Sequence, residues 1–486
     1  MFVGIDIGTS GVKAVLIDSS QKVIGTATSP LEVSRPHPGW SEQAPADWWR
    51  ATEAAIAELR KGHGKEMAAV EGIGLSGQMH GATLLDASDQ VLRPAILWND
   101  GRSGAECAEL EAACPRSRDI AGNIAMAGFT APKLLWVRKH EPATFAKVAK
   151  VLLPKDYVRL RMTGEHASDM SDSSGTLWLN VGKRDWSDEL LAVTSLTRAH
   201  MPKLCEGSAA SGRLTQAVAD AWGMPKRPVV AGGGGDNAAS ACGIGAVKPG
   251  AGFLSLGTSG VLFVSNAKFS PNTAGAVHAF CHAIPATWHQ MGVILSATAS
   301  LEWLAGLLGE PVPKLMAALG ETVGGPSPVT FLPYLSGERT PVNDASARGV
   351  LVGLGHESDR KVLTQAVIEG VAFAVRDCQE VLKAAGTRIE SLMAVGGGSR
   401  SRLWLSIIAT LLDAPLHLPE HAEAGGAFGA ARLGLCAATG ADPLAVCTPP
   451  PVSATIEPVR AQRASYEAAY GRYQRMYGAA KAVRQT

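Results

Sequence analysis

The sequence predicts an α/β protein built from two domains of similar construction, and three observations support this. Its 486 residues exceed what one hydrophobic core accommodates, since single cores stop growing at roughly 250 to 300 residues. Apolar segments of strand length alternate with segments whose apolar residues recur at helical spacing. The pentapeptide GTSGV occurs twice, at residues 8–12 and 257–261, each time between two apolar segments. We therefore predict two domains, residues 1–246 and 247–486.

The N-terminal half is expected to begin with a β-meander over residues 2–29, whose first turn is the first GTSGV. Residues 45–62, PADWWRATEAAIAELRKG, carry apolar side chains at helical spacing and predict a helix. Residues 70–81, VEGIGLSGQMHG, predict a buried strand that runs into a glycine-flanked loop.

Three further segments of this half predict local structure. Residues 82–100, ATLLDASDQVLRPAILWND, predict a hairpin that ends in a loop. FTAPKLLWVRKHEP predicts a helix capped by Thr130, because a threonine side chain at this position can bond the first free amides. Residues 227–245, RPVVAGGGGDNAASACGIG, predict a strand, a glycine loop and the start of a helix.

The C-terminal half repeats this order of elements. After the second GTSGV turn, residues 360–386 carry a long apolar stripe and predict a helix that ends at Gly386. SLMAVGGGSRSRLWLSIIATLL, residues 391–412, predicts a strand, a glycine loop and a helix. The last 24 residues, 463–486, predict an amphipathic helix that packs on this domain.

Composition and charge restrict the classes of partner and location. Apolar residues make up 46% of the chain, enough to fill such cores, and the net charge of +1 gives no reason to expect nucleic acid or an anionic membrane as partner. The eight cysteines contain no CxxC pair and are expected to be reduced thiols. No basic n-region and no run of about 18 apolar residues occurs. We expect a cytoplasmic protein that binds small molecules.

The glycine turns suggest phosphate binding. A Gly-Thr-Ser turn offers several amides and two hydroxyls in a small space, and glycine lets the backbone approach an anion closely. A single such turn is more often only a hairpin turn. Two identical turns, each near the start of one half of the chain, are better explained as two binding sites for the same polyphosphate. The glycine run at 396–398 could hold the nucleoside end or a phosphate. Neither a Walker motif nor a dinucleotide fingerprint is present.

Two aspartates are candidates for the chemistry. Asp6 lies two residues before the first turn, where its carboxylate could bind Mg²⁺ or a water on that ion. Asp236 follows four glycines at the end of a strand, where a carboxylate could serve as general base toward a hydroxyl. A plain helix N-cap explains Asp236 equally well at this point.

The ordered series of motifs resembles the FGGY family of carbohydrate kinases, within the actin-like ATPase superfamily. The resemblance covers nearly the whole chain and rests on GIDIGTSGVKAVLID, SRPHPGWSEQ, GLSGQMHG, ILWNDGR, GFTAPKLLWVRKH, LLPKDYVRLRMTGE, ASDMSDSSGT, VVAGGGGDNAA, LSLGTSGV, FLPYLSGERTP and VGGGSRS. It implies two actin-like (ribonuclease H-like) domains with a catalytic cleft between them: an N-terminal sugar-binding and phosphate domain and a C-terminal nucleotide-binding domain.

The resemblance also implies roles for individual residues. Asp236 would accept the proton of the sugar hydroxyl, and Asp6 would be the acid at the metal and phosphate site. The sugar would be held by Met79, His80, Asn237, Trp98 and Asp100. The phosphates of ATP would be held by Gly8, Thr9, Ser10, Gly257 and Thr258, with Gly397 near the adenosine.

The implied reaction is ATP-dependent and Mg²⁺-assisted phosphorylation of a sugar, and the members acting on D-xylulose, giving D-xylulose 5-phosphate, are the most similar. Family members acting on ribulose, gluconate or glycerol are the alternatives, and a non-catalytic sugar-responsive regulator on the same scaffold is a third. The family allows a homodimer. The run before Asp236 has four glycines where three are expected.

Several other conspicuous residues are predicted to be structural. Trp48, Trp49, Trp136 and Trp404 lie on helical segments and are assigned to the core. Solvated or structural ion pairs are expected for Lys155, Arg339 and Arg348.

Overall fold

A computed structural model describes residues 1–420 and 425–484. Two seven-stranded mixed sheets form its centre. The strands of the first sheet are β1 (Phe2–Ile7), β2 (Gly11–Ile17), β3 (Val23–Pro30), β4 (Gly72–Gly77), β5 (Ala210–Arg213), β6 (Val229–Ala231) and β7 (Gly234–Gly235). The strands of the second are β8 (Ala251–Leu256), β9 (Gly260–Asn266), β10 (His278–Cys281), β11 (Trp288–Ile294), β12 (Ser391–Val395), β13 (Leu416–Pro419) and β14 (Val452–Ile456).

The two sheets share one strand pattern. The first has the order β5-β6-β4-β1-β2-β3, with β7 added beside β4. The second has the order β14-β13-β12-β8-β9-β11-β10. In both, a central strand pairs antiparallel with the strand after the GTSGV turn and parallel with a strand from later in the chain. The repeated pentapeptide therefore occupies the same place in two copies of one fold.

Helices cover both sheets. In the N-terminal half they are Pro45–Gly62, Gly64–Ala68, Gly104–Ala113, Ser117–Ala121, Thr130–His140, Pro142–Phe145, Pro154–Thr163, Met170–Ser174, Asp188–Val193, Gln216–Trp222 and Asp236–Ile244. In the C-terminal half they are Thr298–Leu308, Val312–Leu319, Arg360–Ala384, Arg402–Leu412, Gly425–Thr439, Pro443–Val446 and Arg463–Arg484. Short 3₁₀ helices span Arg198–His200, Gly397–Arg400 and Arg460–Gln462. Within these ranges, no helix has both the length and the apolar character that a membrane span needs.

Five small two-stranded sheets complete the fold. Their pairs are Glu42–Gln43 with Ala95–Ile96, Thr83–Leu85 with Lys150–Leu152, Ala167–Asp169 with Lys203–Cys205, Leu179–Asn180 with Asp185–Trp186, and Thr330–Leu332 with Val350–Val352. Helices pack on both main sheets, and the four core tryptophans predicted from the sequence are buried. The final helix packs on the C-terminal core through Tyr466, Tyr470 and Tyr473, as predicted.

The two halves meet along an interface of very small residues. The helix Gly425–Thr439, from the C-terminal half, packs on β1 and β4 of the first sheet. A Cβ atom added to Gly4 or Gly74 would lie 1.8 Å from a backbone oxygen of this helix. Only glycine permits so close an approach, so these glycines set the distance between the helix and the strands that carry the candidate site.

One of two local predictions is confirmed and the other was wrong. Residues 82–100 form the predicted hairpin, with antiparallel bridges between Ala82 and Ile96 and between Leu85 and Val91. Its two short strands also pair with Lys150–Leu152 and Glu42–Gln43. Thr130 does not cap its helix; it is the first helical residue, and its hydroxyl donates instead to the carbonyl oxygen of His80. The boundary at residues 246 and 247 lies between the helix Asp236–Ile244 and β8, and it stays a prediction.

Candidate active site

A cavity of about 380 Å³ lies between the two sheets and is lined by both halves of the chain. It opens at the carboxyl ends of the parallel strands β1 and β4, the edge at which α/β sheets bind ligands. Eight residues named from the sequence line it: Asp6, Gly8, Thr9, Met79, His80, Trp98, Asp236 and Asn237. The second half contributes side chains from the second GTSGV turn and from β9, β10 and β11.

Asp236 is the first residue of the helix Asp236–Ile244. Its Oδ1 atom accepts a hydrogen bond from the backbone amide of Asn237 at 2.7 Å and from the side-chain amide of the same residue at 3.0 Å. Burial, followed by the charge of Asp6, raises the pKa of Asp236 to about 6, while the Asn237 bonds act in the opposite direction. A carboxylate with this pKa is ionised at neutral pH and is a stronger base than an ordinary aspartate.

The glycine run before Asp236 is held in place from behind. The amide of Gly235 donates to the hydroxyl oxygen of Ser171 at 3.1 Å, and the guanidinium of Arg159 donates to the carbonyl of Gly232 at 2.5 Å. Gly233 has a φ of 76°, and a Cβ there would lie 2.1 Å from the carbonyl oxygen of Leu75. Backbone that needs both a left-handed conformation and close contact with β4 requires glycine.

The groups behind this run form a fully buried ion cluster. Lys155 Nζ lies 2.6 Å from Asp156, 2.8 Å from Asp169 and 3.0 Å from Asp172. Asp169 also accepts a bond from the hydroxyl of Ser171, which connects the cluster to the amide of Gly235. The ion pairs predicted for Lys155 are thus present, and they support the strand and loop that carry Asp236.

Asp6 lies on β1, and its Oδ1 atom accepts a hydrogen bond from the hydroxyl of Ser76 on β4 at 2.8 Å. Burial raises the pKa of Asp6, against the effects of Ser76 and Lys13. The charge of Asp6 also raises the pKa of Asp236, so the two carboxylates lie close together in one cavity. No group of three or more potential metal ligands occurs in residues 1–420 and 425–484. Two neighbouring carboxylates nevertheless fit Mg²⁺, which takes most of its remaining ligands from water and phosphate oxygens.

Each GTSGV turn is closed by a backbone hydrogen bond, but the two bonds differ in span. The amide of Gly8 donates to the carbonyl of Gly11, three residues on, and the amide of Gly257 donates to the carbonyl of Ser259, two residues on, both at 3.0 Å. The second turn is also fixed to the helix Thr298–Leu308, because the amide of Thr298 donates to the carbonyl of Gly257. Ser259 lines the cavity, whereas Ser10 and Thr258 are exposed beside it.

A chain of hydrogen bonds connects the first turn to the sugar-side loops. The indole of Trp98 donates to the hydroxyl of Thr9, which donates to the amide oxygen of Gln78, both at 3.0 Å. Gln78 in turn donates to Gln43 at 2.7 Å. Neither Gln43 nor Gln78 was predicted to be a site residue, although Gln78 lies within the segment GLSGQMHG.

His80 is held in one protonation state and one orientation. Its Nδ1 atom lies 2.6 Å from the carbonyl oxygen of Gly175, and its own carbonyl oxygen accepts bonds from Lys133 Nζ at 2.9 Å and from Thr130 at 3.2 Å. Burial, followed by the charge of Lys133, lowers the pKa of His80 to about 3. Because a carbonyl can only accept, Nδ1 carries the proton and Nε2 is left as an acceptor.

Asp100 is placed differently from the expectation that it contacts the sugar. It is buried outside the cavity lining, and its carboxylate accepts bonds from the guanidinium of Arg102 and from the amide of Ser41. With both oxygens bound in this way, Asp100 orders the turn that presents Trp98. We therefore correct its role from sugar contact to support of the loop.

A second cavity, of about 790 Å³, lies on the C-terminal half. It is bounded by the 3₁₀ helix that contains Gly397 and by the helices Thr298–Leu308 and Val312–Leu319. Apolar side chains such as Leu301, Met316 and Trp404 line it together with the glycine backbone. A cavity with these walls and a few polar groups suits a nucleoside.

Arg339 was expected to form an ion pair, and this expectation was wrong. Its side chain lines the first cavity, and its Nη1 atom lies 3.4 Å from Nε2 of His278. Among the described residues, no carboxylate lies within ion-pair distance of its guanidinium. Nothing in the sequence around a single arginine in a loop predicts that its side chain lines a cavity.

Comparisons with known proteins agree with this geometry. The model of the N-terminal domain of the FGGY family of carbohydrate kinases matches residues 1–243, and that of the C-terminal domain matches residues 252–438. The chain is 53% identical to the xylulose kinase of Escherichia coli over 439 residues, 90% of each chain.

Two solved structures are similar along their whole length. One is a crystal structure described as a xyloylose kinase from Brucella ovis, with 60% identity, a TM-score of 0.98 and 99% of each chain covered. The other is the xylulose kinase of Rhodospirillum rubrum, with 30% identity, a TM-score of 0.93 and 100% of each chain covered. The predicted α/β fold is confirmed, with a mixed sheet in each half, and the chain belongs to the FGGY family of carbohydrate kinases.

Proposed function

We propose that this chain transfers the γ-phosphoryl group of ATP to the C5 hydroxyl of D-xylulose, which gives D-xylulose 5-phosphate and ADP. The observation that carries the proposal is the cavity in which a half-buried carboxylate base, Asp236, lies with a neutral hydrogen-bond acceptor, His80, beside two phosphate-type turns. The relatives that cover the chain almost completely and carry the name xylulose kinase support the choice of sugar.

In the proposed reaction, the C5 oxygen forms a bond to the γ-phosphorus while the bond from that phosphorus to the bridging oxygen of ADP breaks. The proton of the hydroxyl passes to the carboxylate of Asp236. Its pKa of about 6 makes this residue an effective acceptor near neutral pH, and general-base catalysis of this kind contributes roughly 10² to 10⁴ in rate. Asn237 holds the carboxylate in orientation through its two hydrogen bonds.

The nucleotide would span both cavities. The adenosine would occupy the cavity beside Gly397, and the phosphates would reach the two GTSGV turns, where Thr9, Ser10, Gly257 and Thr258 supply amides and hydroxyls. A magnesium ion bound with ATP would neutralise charge that develops on the phosphate oxygens. Asp6 would hold that ion or one of its waters.

We also propose that the chain forms a homodimer and is located in the cytoplasm. A homodimer is consistent with the family, and sedimentation velocity would test it. A cytoplasmic location is supported by the requirement for ATP and by eight cysteines that are all free thiols.

A sugar panel tests the proposed function. The purified chain, ATP and Mg²⁺ would be assayed for ADP release with D-xylulose, D-ribulose, D-gluconate and glycerol, and the product would be identified by phosphorus NMR. We expect the highest kcat/KM with D-xylulose and a phosphate ester on C5. A higher kcat/KM with any of the other three would contradict the proposal.

A further inference from the structure

Arg339 brings to the candidate sugar cavity a positive charge that forms no ion pair within the described residues. It lies in the connection between the strands Thr330–Leu332 and Val350–Val352, so it belongs to the C-terminal half, whereas His80 and Asp236 belong to the N-terminal half. The neighbouring Glu338 accepts backbone bonds from Leu295 and from Arg339 itself, and it does not pair with the guanidinium. His278 is the group that contacts the guanidinium.

A guanidinium removed from water destabilises the fold unless other groups accept hydrogen bonds from its N–H donors. Burial lowers the pKa of Arg339, and the charge of Glu338 acts in the opposite direction. A desolvated cation without a carboxylate partner destabilises a fold unless hydrogen bonds satisfy its donors. The guanidinium has five N–H donors, and the contact with His278 uses one of them. The remaining donors are therefore available to a ligand in the cavity.

The hydrogen bonds of His278 allow it to orient this guanidinium. The side-chain amide of Asn123 donates to the carbonyls of Ala121 and Ala279, so its oxygen must face His278 Nδ1, at 3.2 Å, as an acceptor. Nδ1 of His278 therefore carries the proton, and Nε2 accepts from Arg339. Burial, followed by the charge of Arg339, lowers the pKa of His278 well below its usual value, so the ring stays neutral.

Arg339 acts on the end of the cavity that holds His80. The rings of His278 and His80 both contact Phe129 edge-on, at centroid distances of 5.6 and 4.7 Å. After burial and Lys133, the charge of Arg339 contributes to the low pKa of His80. The charge that raises the pKa of Asp236, after burial, is that of Asp6. One end of the cavity is thus marked by the two aspartates and the other by His80 and Arg339.

The chemistry of a 2-ketopentose supplies a ligand for this second end. Its furanose ring closes through the C5 oxygen, so the C5 hydroxyl is free only in the open-chain form. That form carries a C2 carbonyl beside a C1 hydroxyl at the opposite end of the chain. With the C5 hydroxyl at Asp236, the carbonyl falls at the end marked by His80 and Arg339.

We propose that the guanidinium of Arg339 donates hydrogen bonds to the C2 carbonyl oxygen of the open-chain ketose and thereby selects ketoses over polyols. This inference rests on the proposed function. A carbonyl oxygen only accepts, so a guanidinium satisfies it completely, whereas the C2 hydroxyl of a polyol carries a hydrogen for which a guanidinium has no acceptor. Nε2 of His80 can accept from the C1 hydroxyl. The pair therefore matches an α-hydroxyketone. His278 is a positioning residue for Arg339.

The test compares Arg339→Met with the wild type and with Arg348→Met, which removes an exposed arginine from the same connection. KM and kcat would be measured for D-xylulose and for ATP, and the Kd values of D-xylulose and xylitol would be measured by calorimetry. Xylitol differs only in having a hydroxyl group in place of the ketone. For Arg339→Met we expect a rise of roughly 10- to 100-fold in the KM for D-xylulose, as expected for loss of a charged hydrogen bond, with the KM for ATP within twofold.

We also expect the preference for D-xylulose over xylitol to fall in Arg339→Met and to remain unchanged in Arg348→Met. A xylulose KM within twofold of the wild-type value in a folded Arg339→Met variant would overturn the assignment, and so would a change confined to the KM for ATP. Absence of xylulose phosphorylation in the wild type would instead refute the proposed function itself.

Discussion

Nδ1 of His80 lies 2.6 Å from the carbonyl oxygen of Gly175, and this contact determines what His80 can do in the cavity. His80 has a φ of 70°, a left-handed conformation that is strained for a residue other than glycine. The bonds from Lys133 and Thr130 to its carbonyl oxygen stabilise this backbone. The ring is therefore a fixed, neutral acceptor for a sugar hydroxyl and not a proton shuttle.

The first prediction concerns this acceptor. His80→Phe retains a ring of similar shape but removes Nε2, so a sugar hydroxyl would lose its partner. We expect the KM for D-xylulose to rise by roughly 10-fold, as expected for the loss of one hydrogen bond, with the KM for ATP unchanged. Steady-state kinetics with each substrate varied in turn would measure this. Equal increases in both KM values would show that the substitution disturbs the whole cleft.

The second prediction concerns pH. Catalysis needs the unprotonated form of Asp236, whose pKa burial raises to about 6, so kcat/KM should fall as the pH falls through about 6. His80 cannot produce this decline, because its pKa of about 3 keeps it neutral over the same range. The pH profile of wild type and His80→Phe should therefore share one acidic limb. A limb near pH 4, the value of an ordinary aspartate, would argue against the burial of Asp236.

The third prediction concerns the support of the glycine run. Ser171→Ala removes the acceptor of the Gly235 amide and a donor to Asp169, both of which are buried. We expect kcat to fall about 10-fold with little change in either KM, because Asp236 loses its fixed position. Ser173→Ala is the matched control, since Ser173 lies on the same short helix as Ser171 and its hydroxyl donates to that of Ser168 on the preceding strand. Equal losses of kcat in the two variants would assign the effect to general damage of this helix.

The fourth prediction concerns the interface between the two halves. Gly74→Ala would place a methyl group 1.8 Å from the carbonyl oxygen of Ala430, and a backbone atom cannot move aside cheaply. We expect a loss of at least ~2 kcal/mol in the free energy of unfolding. Gly471→Ala, where nothing lies within 4 Å of the added atom, should instead stabilise its helix by about 0.5 to 1 kcal/mol. Thermal unfolding of both variants would measure the difference, and similar melting temperatures would contradict the close packing.

The sequence predicted the parts of this protein that local pattern determines. The GTSGV turns, the long helix Arg360–Ala384 and the strands before each glycine run follow from periodicity and turn chemistry, and they are found. Partners brought together by tertiary packing were missed. Threonine is a common N-cap residue, but the hydroxyl of Thr130 donates instead to the carbonyl oxygen of His80.

Arg339 and Asp100 show the same limit at the candidate site. Arg339 lies in a loop of the other half of the chain, and only the assembled fold brings it beside His278. Asp100 is two residues from Trp98, which lines the cavity, yet its carboxylate accepts hydrogen bonds from Arg102 and Ser41 instead of facing the cavity. A residue close in sequence to a cavity residue can therefore lie outside the cavity, and a distant one can line it.

The central claim is that Asp236 is the base for phosphoryl transfer to the C5 hydroxyl of D-xylulose. The most direct test is the single-turnover rate of D-xylulose phosphorylation by Asp236→Asn, with folding checked by circular dichroism and ATP binding checked by calorimetry. We predict a rate lower by roughly 10² to 10⁴ with the fold and the ATP affinity unchanged. A folded variant that phosphorylates D-xylulose at the wild-type rate would contradict the assignment.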